Sequence, residues 1–245
     1  MLRALAALLV IASTILTIGC QSQPRPSPGM ASLRVSVSAE PKAGRTDLPS
    51  HVAVYDSSTA TPRPQGDYAL VDYSNLDDIV IWLEPANANA AGPKPAPIPI
   101  AVDAPGRAAA VDKAVSVGQT IIVTNRASHP QSIYSVSDGN DFDLGSVPAG
   151  GQGQFTVKSQ GLIEVLTMGA ADPLARIYAA PSPWVAMARA GDSVDFNNLP
   201  PGSYRLVSWH PRLPGTEETI NLAADQMAGA SIKVGVNELP KVSGK

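Results

Sequence analysis

The sequence predicts an all-β protein, and three features indicate this class. Short apolar or alternating runs recur about every 8 to 12 residues, which is a spacing typical of strands in β-sandwiches. The 23 prolines and 20 glycines are spread along the chain and fall between these runs, as turn residues do. No amphipathic helix longer than about two turns is evident, and residues 223–230, the nearest candidate, are predicted to form a turn.

The individual strands are predicted from the period of the apolar residues. Residues 33–39 (LRVSVSA) alternate with period two, which predicts one buried and one solvent-exposed face. Residues 78–84 (DIVIWLE) are almost continuously apolar and predict a central strand, whereas the Pro- and Ala-rich residues 85–99 predict a linker. The Pro-Pro-Gly sequence at 200–202 predicts a hairpin turn. Further strands are predicted at 114–117, 120–124, 132–136, 153–157, 162–166, 194–196, 204–209, 218–222 and 230–236.

The N-terminal residues 1–19 have the three parts of a secretory signal. Arg3 is followed by an apolar run, residues 5–18, which is shorter than the roughly 20 residues that span a bilayer. The run ends at Gly19 and Cys20, and this ending resembles a bacterial lipobox, in which the cysteine is acylated, for example with palmitate, and becomes the N-terminus. Thr17 stands where a lipobox usually has leucine.

Lipidation of Cys20 would account for the single cysteine of an exported protein. Two or three acyl chains anchor a protein stably, because each buried CH2 group contributes roughly 0.8 kcal/mol. The alternative is an ordinary secreted protein whose cysteine lies by chance at the end of the apolar run. Residues 20–32, which are rich in proline and serine, are predicted to be a tether between the membrane and the folded part.

Composition limits the function classes. Charged residues make up 16% of the chain and the net charge is −3, which gives no footprint for nucleic acid or anionic lipid. No Gly-x-Ser-x-Gly, His-Glu-x-x-His or phosphate-loop motif occurs. Ser208 and His210 flank Trp209 on a predicted strand, but neighbouring strand residues face opposite ways, which argues against a nucleophile and base pair in this segment. The protein is therefore predicted not to be an enzyme.

Two stretches resemble the cupredoxin-like proteins of methylamine-utilisation or plastocyanin-like type. Residues 118–144 contain a strand that ends in Asn125, a loop with His129 and then a Phe-Asp-Leu-Gly segment, and the chain from Gly161 onward contains the matching later strand. In that family the loop supplies a histidine ligand, and the later strand ends in a cysteine that is followed by another histidine. The resemblance implies a cupredoxin-like β-sandwich.

A third stretch, LPPGSYRLVSWHPRLPG at 199–215, resembles the small β-sandwich of carboxypeptidase regulatory type, which is transthyretin- or immunoglobulin-like. That family often accompanies the cupredoxin-like one. The resemblance implies a discontinuous regulatory-like domain, residues 33–92 plus 181–240, with the cupredoxin-like domain, residues 93–180, inserted between its two halves.

The resemblance also implies that a type 1 copper site is missing. Such a site needs two imidazoles, a thiolate and a weak axial ligand. The aligned positions hold other residues, namely Gln131, Thr167, Ala170, Asp172 and Pro173. No cofactor is therefore expected. A different metal site remains conceivable if the loops meet, with His129, Met168, Asp172 and His210 as candidate ligands. The alternative is that His129 caps a loop and His210 belongs to a turn.

A possible binding surface is formed by Trp209, His210 and Arg212, because a tryptophan beside an arginine can stack on sugar or peptide ligands. The alternative places Trp209 in the sandwich core and pairs Arg212 with Glu217 or Glu218.

The function predicted from these features is that of a lipid-anchored, non-enzymatic binding or scaffold protein. It would face the periplasm from the cell envelope, on the outer membrane in a Gram-negative cell. Its partners would be the membrane, through the N-terminal lipid, and an envelope protein whose identity the sequence does not give. The alternative function is copper binding or copper handling through His129, Met168 and His210. An unrecognised hydrolase is a third, less supported possibility.

Overall fold

The computed structural model describes residues 26–40, 71–86, 92–103 and 111–235. These residues form β-strands with a single 3-10 helix, Tyr73–Asn75, so the predicted all-β class is confirmed. The strands are β1 (Ala31–Ala39), β2 (Ile79–Pro85), β3 (Ile98–Val102), β4 (Lys113–Ser116), β5 (Thr120–Asn125), β6 (Gln131–Ser135), β7 (Phe142–Val147), β8 (Gln152–Thr156), β9 (Gly161–Thr167), β10 (Ala175–Ala180), β11 (Val185–Ala188), β12 (Ser193–Leu199), β13 (Gly202–Trp209), β14 (Glu217–Leu222) and β15 (Met227–Val234).

The strands form four sheets that pack as two β-sandwiches. Sheet A has the order β12-β1-β15 and sheet B the order β11-β2-β13-β14, and together they enclose the first core. Sheet C has the order β3-β5-β8 and sheet D the order β4-β10-β9-β6-β7, and they enclose the second core. We call the pair A and B the first sandwich and the pair C and D the second sandwich.

The first core draws on both ends of the chain. Leu33 and Val35 of β1 face Ile81 and Leu83 of β2, and Leu206 of β13 packs with them. This arrangement follows from the alternation of side chains along a strand. In β1, Leu33, Val35 and Val37 are buried, while Arg34 and Ser36 between them lie on the outer face of the sheet. The buried residues of this core come from 31–83 and 184–234.

The second core is built from the middle of the chain, between residues 100 and 179. Ile121 and Val123 of β5 pack against Ile163 of β9 and Ile177 of β10. The domain boundaries predicted from the sequence, 33–92 plus 181–240 around 93–180, remain a proposal. The two cores show only which buried apolar side chains pack together. The residues described contain no helix long and apolar enough to cross a bilayer.

The two sandwiches are joined through the outer faces of sheets B and D. Val80 and Trp82 of β2 pack there against Tyr178 and Ala180 of β10. The Tyr178 ring lies 4.0 Å from that of Trp209 in a stacked arrangement and 5.8 Å from that of Trp82. β2 and β10 are thus buried on both faces over most of their length, which explains the apolar runs Ile79–Leu83 and Ile177–Ala180 within them.

Some strands differ from the sequence prediction. Residues 227–230 belong to β15 rather than to a turn, because β15 pairs in parallel with β1 over its whole length. β3 lies partly within the predicted linker, and its Pro99 is tolerated because β3 is an edge strand of sheet C. The strands that were not predicted are β3, β7, β10 and β11.

Replacing Tyr178 tests the contact between the sandwiches. Tyr178→Ala removes the ring that lies between Trp82 and Trp209, and we expect it to lower the free energy of unfolding by about 3–5 kcal/mol. Tyr178→Phe removes only the hydroxyl, which accepts a hydrogen bond from Gln160 Nε2 at 3.3 Å, so its cost should stay below about 1 kcal/mol. Urea unfolding followed by tryptophan fluorescence measures both, and equal effects of the two variants would contradict the stacking role.

Candidate functional site

The loops that carry His129, Met168 and Asp172 leave the same end of the second sandwich. Ile133 of β6 pairs with Thr167 of β9, so the loop before β6 and the loop after β9 lie at one end of sheet D. The side chains of His129 and Asp172 are exposed, and that of Met168 is 77% exposed. Three of the four candidate metal ligands are therefore on neighbouring loops.

Asn125 organises the first of these loops. Its side chain is fully buried at the end of β5, where Nδ2 donates to the carbonyls of His129 and Val147, both at 2.9 Å. Its Oδ1 accepts from the backbone N–H of Ala127 at 2.9 Å. These hydrogen bonds hold the loop in place. If the loop moved, the buried amide of Asn125 would lose its partners, and a buried polar group without a partner destabilises the protein. The His129 backbone is thus held while its side chain faces solvent.

Gln131 occupies the position of a histidine ligand in the resembling family, and here it has a structural contact. Its side chain is only 5% exposed, and Nε2 donates to the backbone carbonyl of Asp103 at 2.5 Å. Asp103 follows β3 of sheet C and Gln131 begins β6 of sheet D, so this hydrogen bond ties the two sheets together. Gln131 Oε1 has no hydrogen-bond partner within the described part of the chain.

The residues at this end do not fit a type 1 copper centre. Thr167 is half-buried and offers a hydroxyl rather than a thiolate, and Gln131 offers an amide that already donates to Asp103. Across residues 26–40, 71–86, 92–103 and 111–235, no group of three or more His, Cys, Asp or Glu side chains is placed to hold a metal ion. Copper would have to bind in another way, through the exposed loop side chains.

His210 lies apart from these loops, in the first sandwich directly after β13. It is 6% exposed, and its Nδ1 accepts from the backbone N–H of Arg212 at 3.1 Å. The backbone of Asp77 also lies near the ring. Burial, and next the charge of Arg212, lower the pKa of His210 from an ordinary value of 6.5 to about 4. The ring is thus buried and neutral, and its Nδ1 already accepts a hydrogen bond within the turn that follows β13.

Trp209 faces the second sandwich. It is half-buried and stacks on Tyr178, so it lies neither inside the core of the first sandwich nor on an open face. The side chain of Arg212 is exposed. Glu217 lies 3.4 Å from Arg205, which also pairs with Glu84. The predicted stacking surface formed by Trp209, His210 and Arg212 is therefore covered on its aromatic side, and Arg212 is its accessible member.

Cys20 lies outside the described residues. The contacts that sequence reasoning missed are those of Gln131 and Tyr178. Gln131 was read only as a lost ligand, although a polar residue at an inward-facing position of an alternating strand indicates a buried hydrogen bond. Tyr178 belongs to the four apolar residues 177–180, and such a continuous run indicates burial on both faces of a strand.

Solved structures that are similar to part of the chain are cupredoxins. A purple cupredoxin from Nitrosopumilus maritimus is 16% identical, over 28% of this chain and 77% of its own, with a TM-score of 0.25. An oxidised amicyanin variant is 15% identical over 40% of this chain and 99% of its own, with a TM-score of 0.27. A reduced amicyanin variant is 17% identical over 33% and 81%, with a TM-score of 0.26. No family model and no curated protein matches the chain.

The buried His210 predicts a specific dependence of stability on pH. Because its pKa is about 4 in the folded protein and about 6.5 in the unfolded chain, the unfolded chain takes up the proton first as the pH falls. The contribution is fully present above pH 6.5 and is lost as the pH falls towards 4. Between about pH 7 and pH 5, we expect the wild type to lose about 1–2 kcal/mol more than His210→Asn.

The measurement is urea unfolding of both proteins across this pH range. His210→Asn serves as the reference because asparagine can accept from the Arg212 N–H without titrating, so the shared loss from carboxylates cancels. Parallel pH curves for the two proteins would show that His210 is not held neutral by burial.

Proposed function

We propose that this protein is a lipid-anchored, non-enzymatic binding or scaffold protein that faces the periplasm. The observation that carries the proposal is the stacking of Tyr178 between the two sandwiches, which supports a rigid two-sandwich body. Loops on such a frame, including those with His129 and Met168, are well placed to contact a partner, since binding residues are often found on loops held by a rigid scaffold. In this proposal the loop residues bind a partner and catalyse no reaction.

The proposed anchor is Cys20, acylated after removal of residues 1–19. Residues 27–29 already contact the first sandwich. The N–H of Ser27 donates to Asn198 Oδ1 at 3.2 Å, and the N–H of Gly29 donates to Asp225 Oδ1 at 2.7 Å. Of the predicted tether 20–32, only about six residues are left free of these contacts, and they reach at most about 20 Å. The first sandwich would therefore stay close to the membrane surface.

The anchor is tested by replacing the cysteine. Cys20→Ser should abolish incorporation of labelled palmitate and release the protein from the membrane fraction, because the thiol is the acylated group. The control is Ser22→Cys in the Cys20→Ser background, which restores a thiol at the wrong place and should restore neither property. A Cys20→Ser protein that still carries label and sediments with membranes would refute the lipid anchor.

The second candidate function is copper handling, and one observation favours it. His129 and Met168 are exposed on two loops at the same end of the second sandwich, where an imidazole and a thioether would be available to a soft metal ion. His210 no longer belongs to this candidate set, because its ring is buried in the first sandwich and its Nδ1 accepts a hydrogen bond from Arg212 N–H.

Copper titration of the full chain distinguishes the two functions. If copper handling is correct, Cu(I) binds near one equivalent, His129→Ala abolishes binding, and Met168→Leu weakens Cu(I) binding more than Cu(II) binding because a thioether prefers the softer ion. His210→Asn is the matched control and should bind as the wild type does. Titration by calorimetry, reversed with a chelator, measures each case, and absence of binding would leave the scaffold proposal alone.

A further inference from the structure

The outer edge of β15 is an open strand edge. β15 pairs with β1 in parallel and without a register shift, from Ser32 opposite Met227 to Ala39 opposite Val234. On its other side it pairs with no strand in the part of the chain that the structure describes. A strand edge of this length presents a row of backbone donors and acceptors, which is a template for a further strand.

The hydrogen bonds to β1 define which residues face outward. The N–H of Ser32 donates to the carbonyl of Gln226 at 2.8 Å, and that of Glu40 to the carbonyl of Val234 at 3.0 Å. Backbone bonds of a parallel pair recur at every second residue, so the even-numbered residues of β15 bond to β1. The odd-numbered residues turn their N–H and carbonyl groups to the open edge, and these are Met227, Gly229, Ser231 and Lys233.

This edge lacks the features that usually prevent strands from pairing. β15 contains no proline and no bulge, and its charged residue is Lys233 near one end. Gly229 and Ser231, at the middle, are small and exposed, so another backbone can approach closely. A groove of about 500 Å³ runs beside the strand.

Two charged side chains, one acidic and one basic, line the groove. Glu218 of β14 lines it together with Met227, and no ion-pair partner is found for Glu218 among the described residues. Arg34 also lines the groove, but its guanidinium is already paired with both carboxylate oxygens of Asp195 at 2.7 Å. The groove therefore favours an occupant with a positive charge at the level of Met227.

We propose that the occupant is a second copy of this chain, bound by antiparallel pairing of β15 with β15. In the register centred on Ala230, Met227 lies opposite Lys233 of the second copy, and Gly229 lies opposite Ser231. The two lysines are thus kept apart, and each comes to the level of Met227, where Glu218 lines the groove. Lys233 Nζ lies 3.0 Å from Glu40 Oε1 of its own chain in an exposed ion pair, which it exchanges for Glu218 of the second copy. The strand is self-complementary in both size and charge, and sheet A becomes continuous across the two copies.

The position of the N-terminal segment agrees with this arrangement. The twofold axis of such a pair is perpendicular to sheet A, so both copies turn the outer face of that sheet to the same side. Residues 27–30 run beside sheet A into β1, and in both copies they lie at the level of this sheet. Two short tethers can therefore reach one membrane surface. The pairing itself needs no lipid, so it is independent of the proposed anchor.

The first test uses two substitutions of opposite charge at one position. Met227→Lys places a positive charge opposite Lys233 of the second copy and should weaken self-association about fivefold to tenfold. Met227→Glu places a negative charge there and should strengthen it. Sedimentation velocity of the full chain in detergent over a dilution series measures the dissociation constant, with the wild type expected to dimerise. Equal effects of the two variants, or a wild type that stays monomeric, would overturn the proposal.

The second test blocks the backbone. Ser231→Pro removes an outward N–H without touching a bond to β1, and it should weaken the dimer at least about tenfold, whereas Ser231→Ala keeps the N–H and should leave the dimer unchanged. Met227→Lys covers the case in which the proline variant folds poorly. Hydrogen exchange at Gly229, Ser231 and Lys233 should slow only as the protein concentration rises. Protection that does not depend on concentration would mean that the chain's own residues cover the edge, and the proposal would fail.

Discussion

The structure depends on the burial of both faces of β2, a central strand of sheet B. Ile81 and Leu83 of β2 point into the first core, while Trp82, between them in sequence, points outward to Tyr178 of the second sandwich. Such a strand cannot be stable in an isolated sandwich without exposing a tryptophan-rich face to water. The contact is completed at its border by polar groups, since Trp82 Nε1 donates to Glu84 Oε1 at 2.6 Å and Glu84 pairs with Arg205. Each sandwich thus covers an apolar face of the other. This mutual burial explains why the rings of Trp82, Tyr178 and Trp209 lie together between them.

Most strands were predictable from the sequence because alternation is a local signal. The hairpin predicted at 200–202 is wrong, because β12 pairs in sheet A and β13 in sheet B, and which sheet a strand joins is not a local signal. The strands of the first core, such as β1 and β13, alternate clearly and were predicted. The predicted start of β15, residue 230, is three residues too late, because Ala228 and Gly229 are small and residues 227–229 show no apolar period. Their pairing with β1 defines them as strand. β10 was missed because its neighbours on both faces come from distant parts of the chain, which no local pattern records.

The candidate site was less predictable, for a related reason. The sequence shows that Thr167 replaces a thiolate ligand. It does not show which contacts hold this end of the sandwich together in place of a metal. Gln131 closes this end of the second sandwich by reaching the carbonyl of Asp103, a contact between residues 28 positions apart that depends on how the two sheets face each other. His210 shows the same limit: a histidine before a proline is equally consistent with a ligand and with a turn, and its burial decides between them.

The attachment of residues 27–30 has a mechanical consequence. A force on the proposed lipid anchor enters the protein at the start of β1 and acts along that strand. Since β1 is the middle strand of sheet A, bonded to β12 on one side and β15 on the other, the load is shared by both ladders at once. Hydrogen bonds perpendicular or slanted to the strand are then sheared together rather than opened one after another. A force on the proposed anchor would therefore act on the strand of sheet A that is hydrogen-bonded on both sides.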